Sequence, residues 1–327
     1  MLKAIIPVAG EGTRLRPHTH TQPKVLIHVA GKPILGHILD ELKSVGVTDV
    51  TLVVGHMGDR VIEYVKKNYD FKVTFVRQEE LLGLGHAILL TKEFFGDEPV
   101  LIVLGDTVFK ADFQNVLRGN CNYIGVKEVA DARRFGVVEL SEGKVRNFVE
   151  KPEVPPSNLA IVGLYFIRNT PMLFQCLEDL VHDEQRTAGE FQLTDALQRM
   201  LEQGAEMRTF LVDGWYDCGK PETLLETNRR LLDADAHLPA EARKGNIILE
   251  PVYIADSAKV SGSILGPYVS IAEGSVVQHA IVRNTIINQN AVVKSILLDE
   301  SLVGQGAVVN GRMNRLNVGD SSQVDFS

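Results

Sequence analysis

Only three cysteines occur in the 327 residues, Cys121, Cys176 and Cys218. Their spacing fits neither a disulfide framework nor a paired-thiolate metal site, so reduced thiols in a cytoplasm are expected. Long hydrophobic runs are also missing: no uninterrupted apolar stretch approaches the roughly 20 residues that cross a bilayer. The apolar start is too short for a secretory signal and runs into Gly10. No membrane association is therefore expected. Positive charge is in deficit, with a formal net charge of −8, which argues against broad nucleic-acid binding. Neither a His-Asp nor a Ser-His arrangement suggests general-base or nucleophilic catalysis. Two phosphate-binding signatures are incomplete as well. Leu15 stands where the dinucleotide fingerprint needs its third glycine, and no Gly-Lys-Ser/Thr triplet follows.

What is present begins with Val8-Ala9-Gly10-Glu11-Gly12-Thr13-Arg14-Leu15-Arg16-Pro17, then Pro23-Lys24. The apolar Ala4-Ile5-Ile6-Pro7 before it reads as a buried first strand. A glycine turn at the carboxyl end of such a strand lets backbone N–H groups approach a phosphate closely. Arg14 and Lys24 add fixed positive charge where a polyphosphate would lie. Residues 1–39 carry Lys3, Arg14, Arg16, Lys24 and Lys32 against Glu11 alone. A basic patch on an acidic chain suits a small anionic substrate, here a nucleoside triphosphate.

Residues 1–232 alternate short apolar strands (Val50–Val54, Val73–Val76, Val100–Leu104) with helical patterns (Ile34–Val45, Arg60–Asn68, His86–Phe95). That alternation predicts an α/β domain with a mainly parallel sheet and helices on both faces. Ligands of such sheets bind outside the carboxyl ends of the strands, where the Gly10 loop and Asp106 both fall. Residues 233–246 are polar, contain Pro239 and read as a linker. From 247 to 327 the pattern changes. Ile254, Ile271, Ile287 and Val303 recur at intervals of 17, 16 and 16 residues, each followed six later by Val260, Val277, Val293 or Val309. This is the signal of a parallel β-helix of about four coils. Its last coil needs cover that the tail Asn310–Ser327 supplies only in part, so a homo-oligomer is expected.

Further segments carry candidate chemistry. Gln78-Glu79-Glu80-Leu81-Leu82-Gly83-Leu84-Gly85-His86-Ala87 offers an amide that suits the N3–H of thymine or uracil better than cytosine. Gly83 would let a base lie against the backbone, and His86 reads first as a packing residue of the helix that follows. Leu101–Asp106 is a buried strand ending in a carboxylate, and Trp215-Tyr216-Asp217-Cys218-Gly219 holds a second one. Two carboxylates, phosphate oxygens and water match the hard, octahedral demands of Mg²⁺. Arg134–Val138, Phe148–Pro152 and Ile161–Tyr165 complete the set.

These segments together resemble the sugar-1-phosphate nucleotidyltransferases, or NDP-sugar pyrophosphorylases. The resemblance covers essentially the whole chain. It is nearest to glucose-1-phosphate thymidylyltransferase-like enzymes that end in a left-handed β-helix, and implies a Rossmann-like catalytic sheet. It implies that Ala9, Gly10, Gly12, Thr13, Gln78 and Gly83 bind the nucleotide. By the same resemblance Arg14, Lys24 and Lys151 are catalytic, Asp106 and Asp217 hold Mg²⁺, and Gly136, Glu150 and Gly163 receive the sugar. The implied reaction joins a nucleoside triphosphate, dTTP or UTP, to a hexose 1-phosphate, glucose 1-phosphate first, and releases pyrophosphate. Two departures stand out. Ala9 replaces one glycine of the usual doublet, and Lys220 stands where Thr is usual, leaving its role open.

Two other readings compete. A non-catalytic assembly relative would be expected to lose some of Arg14, Lys24, Asp106, Lys151 and Asp217, all present here. A second, acyl-transferring activity would need more than His279, the one candidate base in the β-helix. Motifs also divide on the nucleotide. Pro7-Val8-Ala9-Gly10 and Gly83-Leu84-Gly85-His86 look uridylyltransferase-like, whereas Asp217 to Glu222 and the β-helix look thymidylyltransferase-like.

Overall fold

The computed structural model describes residues 2–312 and Gln323. The chain forms two compact units: residues up to Ile27 with Lys32–Thr227, and His28–Gly31 with residues from Asn228 onward. Among the described residues no helix is long and apolar enough to cross a membrane.

The first unit is built on a nine-stranded sheet. The strand Leu2–Val8 runs parallel to Val47–Val54 and Val100–Val103, and Val47–Val54 runs parallel to Lys72–Arg77. Ala4, Ile5 and Ile6 are wholly buried, as a central strand covered on both faces requires. The other half is antiparallel, apart from Met207–Leu211, which runs parallel to Asn122–Glu128. Leu159–Ile167 pairs antiparallel with Val100–Val103, Asn122–Glu128 and Val137–Ser141, and Lys144–Val149 closes one edge. The sheet is thus mixed, and its parallel half holds the expected strands.

The helix Ile34–Ser44 buries Ile34, Leu35, Ile38, Leu39 and Leu42, a stripe at helical spacing that faces the sheet core. Gly58–Asn68 starts two residues before the expected Arg60, and a Cβ on Gly58 would lie 2.8 Å from the Val54 side chain. The expected helix His86–Phe95 is divided into Leu84–Leu89 and a short 3-10 turn, Lys92–Phe94. Thr91 Oγ1 donates to the Ile88 carbonyl at 2.7 Å, a local bond that competes with helix continuation.

The second unit is a three-sided stack of parallel coils, the architecture of the left-handed β-helix. Each side is a four-stranded parallel sheet of strands two or three residues long. Ile254, Ile271, Ile287 and Val303 align rung by rung, as do Val260, Val277, Val293 and Val309. The first set is buried, so the repeat interval is the length of one coil. On the third side Ile247, Ile264, Ile281 and Leu297 form an outward ladder in register. The tail expected to cover the last coil lies, beyond Arg312, almost entirely outside the described residues.

Segment His28–Gly31 is held within this unit by buried amides. His28 N–H donates to Asn288 Oδ1 (3.2 Å) and Ala30 N–H to Asn228 Oδ1 (2.9 Å). The same Asn228 oxygen accepts from Ser270 Oγ at 2.6 Å, and its Nδ2 donates to the Tyr268 carbonyl at 3.2 Å. Asn228 is 1% exposed, and unpaired polar groups at such depth are costly. Asn228→Ala should therefore destabilise the protein by about 3 kcal/mol, measured as a lowered urea midpoint with an unchanged slope. A loss under about 0.5 kcal/mol would mean that water replaces all three partners.

Candidate active site

The strand Leu2–Val8 delivers Ala9 and Gly10 to the carboxyl edge of the sheet. A Cβ on Gly10 would meet nothing within 4 Å, so its backbone faces open space. Gly12 has φ +63, and a Cβ there would lie 2.9 Å from Lys24 Cβ; both facts demand glycine. The next turn, Thr13–Leu15, is anchored by the wholly buried Leu15. Thr19 Oγ1 donates to the Gly12 carbonyl at 2.9 Å, bracing the loop from below.

Lys24 Nζ lies 2.8 Å from Asp106 Oδ2; the lysine side chain is 10% exposed and the aspartate 37%. The cation is enclosed and the carboxylate opens on the cleft. Burial pushes Asp106 up, but the charge and hydrogen bond of Lys24 and the charge of Arg14 outweigh it. Its carboxyl is held below the usual range and is ionised at neutral pH. Asp106 reaches this place because Gly105 lies hard against the first strand, where a Cβ would stand 2.5 Å from Val8 Cγ1.

Asp217 ends the strand Gly214–Asp217, which pairs antiparallel with Thr107–Lys110 so that Asp217 faces Thr107. Cys218 N–H donates to the Asp106 carbonyl at 3.0 Å. The backbone next to each expected metal-binding aspartate is thus tied to the other's segment. Asp217 Oδ1 accepts from Gly219 N–H at 2.8 Å. A Cβ on Gly219 would lie 2.7 Å from that oxygen and 3.3 Å from Arg14 Nη2, so this glycine lets carboxylate and guanidinium share one corner.

A cleft of about 510 Å³ runs along these groups. Of the expected residues, Ala9, Gly10, Gly12, Thr13, Arg14, Lys24, Gln78, Gly83 and Asp106 line it. Gln78 follows the strand Lys72–Arg77, and its Nε2 donates to the Gly83 carbonyl at 3.1 Å. Gly83 has φ +110, with the Phe191 carbonyl 2.7 Å from where a Cβ would be. Phe191 N–H donates to Leu82 O and Gly85 N–H to Phe191 O, both at 2.8 Å. The segment expected to bind the base is thereby stapled to Glu190–Gln192, and Glu190 joins the cleft wall. Sequence reasoning missed this segment because Gly189-Glu190 looks like any exposed turn.

The expected sugar residues form a neighbouring group off that cleft wall. Glu150 is largely enclosed. Its Oε2 accepts from Thr194 Oγ1 at 3.0 Å and its Oε1 lies 3.3 Å from Lys151 Nζ. A Cβ on Gly136 would stand 3.0 Å from Glu150 Oε2, so Gly136 leaves that carboxylate its room. Gly163 has a different physical reason: a Cβ would strike the Leu104 side chain at 2.8 Å, and Leu104 itself lines the cleft. The space expected there for a hexose is filled by Leu104. The buried Tyr165 phenol feels charge from both groups. Burial raises its pKa first, and the charges of Glu150 and Asp106 raise it further. Thr194, which holds Glu150, carried no local signal in the sequence.

Comparison with known proteins fits this geometry. Residues 3–234 match the family model described as nucleotidyl transferase. The chain is 32% identical to the low-salt glycan biosynthesis nucleotidyltransferase Agl11 of Haloferax volcanii, with 99% of each chain covered. It is 30% identical to a glucose-1-phosphate thymidylyltransferase of Streptomyces griseus, with 100% of each covered. Among solved structures, a UDP-glucose pyrophosphorylase complexed with UDP-glucose superposes with a TM-score of 0.62 at 28% identity. That match covers 72% of this chain and 100% of the other. On the glycine loop, the paired aspartates and these full-length matches, the chain belongs to the nucleotidyl transferase family, among its sugar-1-phosphate nucleotidyltransferases.

Proposed function

We propose that the chain transfers a nucleoside monophosphate from dTTP or UTP to a hexose 1-phosphate, glucose 1-phosphate first, giving an NDP-sugar and pyrophosphate. The observation that carries this reading is the meeting of Lys24, Asp106, Arg14 and Asp217 at the mouth of the Gly10–Gly12 loop. An oxygen of the sugar phosphate attacks the α-phosphorus, the bond from that phosphorus to the bridging oxygen breaks, and pyrophosphate leaves with the electron pair. The attacking phosphate is already an anion, so no general base is required. The work of the site is positioning two mutually repelling anions and neutralising them.

In this reading Ala9, Gly10, Gly12 and Thr13 present backbone to the phosphates, Lys24 holds the α-phosphate, and Arg14 meets charge on the departing pyrophosphate. Gln78 and Gly83 take the base. Lys151 steers the sugar phosphate, and Glu150 accepts from sugar hydroxyls beside Gly136. Asp106, held ionised by Lys24 and Arg14, and Asp217 would supply hard oxygen donors that suit Mg²⁺. When bound, the ion would neutralise phosphate charge. Two free thiols, Cys176 and Cys218, are buried, which suits a cytoplasmic setting. We further propose a homo-oligomer joined through the β-helix. The ladder of Ile247 (58% exposed), Ile281 (46%) and Leu297 (63%) leaves a contiguous aliphatic face in water.

Asp106→Asn and Asp217→Asn should each lower turnover by about 10²-fold or more while leaving thermal unfolding nearly unchanged. Near-full Mg²⁺-dependent turnover in either variant would refute the two-carboxylate site and favour the assembly-relative reading. Arg14→Ala should lower kcat by about 10²- to 10³-fold. An unchanged kcat with a raised KM for the triphosphate would reassign Arg14 to ground-state binding. Light scattering of the Ile281→Asp, Leu297→Asp double variant should give a smaller mass than the parent protein. A monomeric parent would overturn the oligomer.

A further inference from the structure

The amide of Gln78 is held from two sides. Its Nε2 lies 3.1 Å from the Gly83 carbonyl and 3.2 Å from His86 Nδ1. A carbonyl oxygen only accepts, so Gly83 decides which end of the amide faces it, the NH₂. The second amide hydrogen then needs Nδ1 as an acceptor, which makes His86 a neutral imidazole with its proton on Nε2. The surroundings supply that state. Burial lowers the His86 pKa foremost, Arg186 lowers it further, and the opposing charge of Glu80 does not reverse the effect.

Both amide hydrogens are therefore committed, and among the described residues none donates to Gln78 Oε1. Gln78 is 6% exposed and forms part of the cleft wall. The group it can offer a ligand is a carbonyl oxygen. Such an oxygen accepts from an N–H and repels a lone pair. Uracil and thymine carry N–H at N3, and cytosine carries a lone pair there.

We infer that His86 is a positioning residue for base selection: its Nδ1 pins the Gln78 amide with the carbonyl toward the nucleotide, admitting pyrimidines with an N3–H and rejecting cytosine. The inference rests on Gln78 being the base contact proposed above. Protonation turns Nδ1 from acceptor to donor, sets it against the amide NH₂ and frees the amide to turn. Because the His86 pKa is lowered, that change begins only below the ordinary imidazole value of about 6.5. Glu80 and Arg186 are the charged groups that act on the ring.

The readout is the ratio of kcat/KM for UTP or dTTP, whichever reacts faster, to kcat/KM for CTP. Effects of pH common to the phosphates cancel in this ratio. His86→Phe keeps ring bulk without an acceptor and should lower the ratio about tenfold, the equivalent of one hydrogen bond. His86→Asn places Oδ1 where Nδ1 stood, so it should restore the ratio to within about threefold and abolish its pH dependence. In the unmodified protein the ratio should hold at neutral pH and fall as the pH drops below the ordinary imidazole value of about 6.5. A His86→Phe protein with the parent ratio would overturn the inference, as would an Asn variant that loses as much as Phe. If His86→Phe does not fold, the unmodified protein decides: a ratio that stays flat from neutral pH down to the acid limit of the folded protein overturns the inference. Gln78→Ala separates the two levels. An unchanged ratio there sinks the base-contact reading itself. A collapsed ratio there, with the His86 variants unaffected, removes only the positioning role.

Discussion

The Lys24–Asp106 ion pair is the contact on which the first unit's site depends. It ties the turn after the glycine loop to the end of a strand 82 positions later. An ion pair this enclosed adds little net stability, because removing both charges from water offsets most of their attraction. Its value is positional. The lysine charge is already desolvated and aimed before any ligand arrives, so a phosphate oxygen can replace the carboxylate as its partner with little rearrangement. The same lysine, with Arg14, keeps Asp106 ionised. In the proposed function, this one contact sets a cation for phosphate and an anion for a hard metal ion.

Close approach is the second constraint, and glycine supplies it at three corners. Gly12 lies against Lys24, Gly105 against the first strand, and Gly219 between Asp217 and Arg14. Any side chain at these positions would part the groups that must meet. The sheet supplies the rest: its strand ends carry Gly10, Gln78 and Asp106 to one edge, where α/β sheets bind ligands.

Much of this was legible in the sequence because it is local. The glycine loop and the 16- to 17-residue repeat are contiguous patterns that became the elements they suggested, whereas the strand expected to end in Asp106 stops at Val103 and leaves Asp106 in the turn before Thr107–Lys110. The chemistry that was not legible depends on pairing across the chain. Glu190 enters the cleft only because Phe191 bonds to both Leu82 and Gly85, more than a hundred residues earlier. Thr194 holds Glu150 from another element. Gly163 reads as room for substrate until Leu104 is seen in that space. His28–Gly31, which the sequence places next to Pro23-Lys24, belongs instead with the second unit through Asn228 and Asn288. The antiparallel strands from Asn122 to Ile167 were weakly marked for the same reason, since their partners fix them more than their own patterns do.

In the proposed function this arrangement joins a pyrimidine nucleoside triphosphate to a hexose 1-phosphate. Pyrophosphate release is its most direct measure, with dTTP, UTP, CTP and ATP each offered against glucose 1-phosphate and other hexose 1-phosphates in the presence of Mg²⁺. Release is expected with dTTP or UTP, only when a hexose 1-phosphate is present, and in step with NDP-sugar formation. No release with any pair, or equal release with ATP, would contradict it.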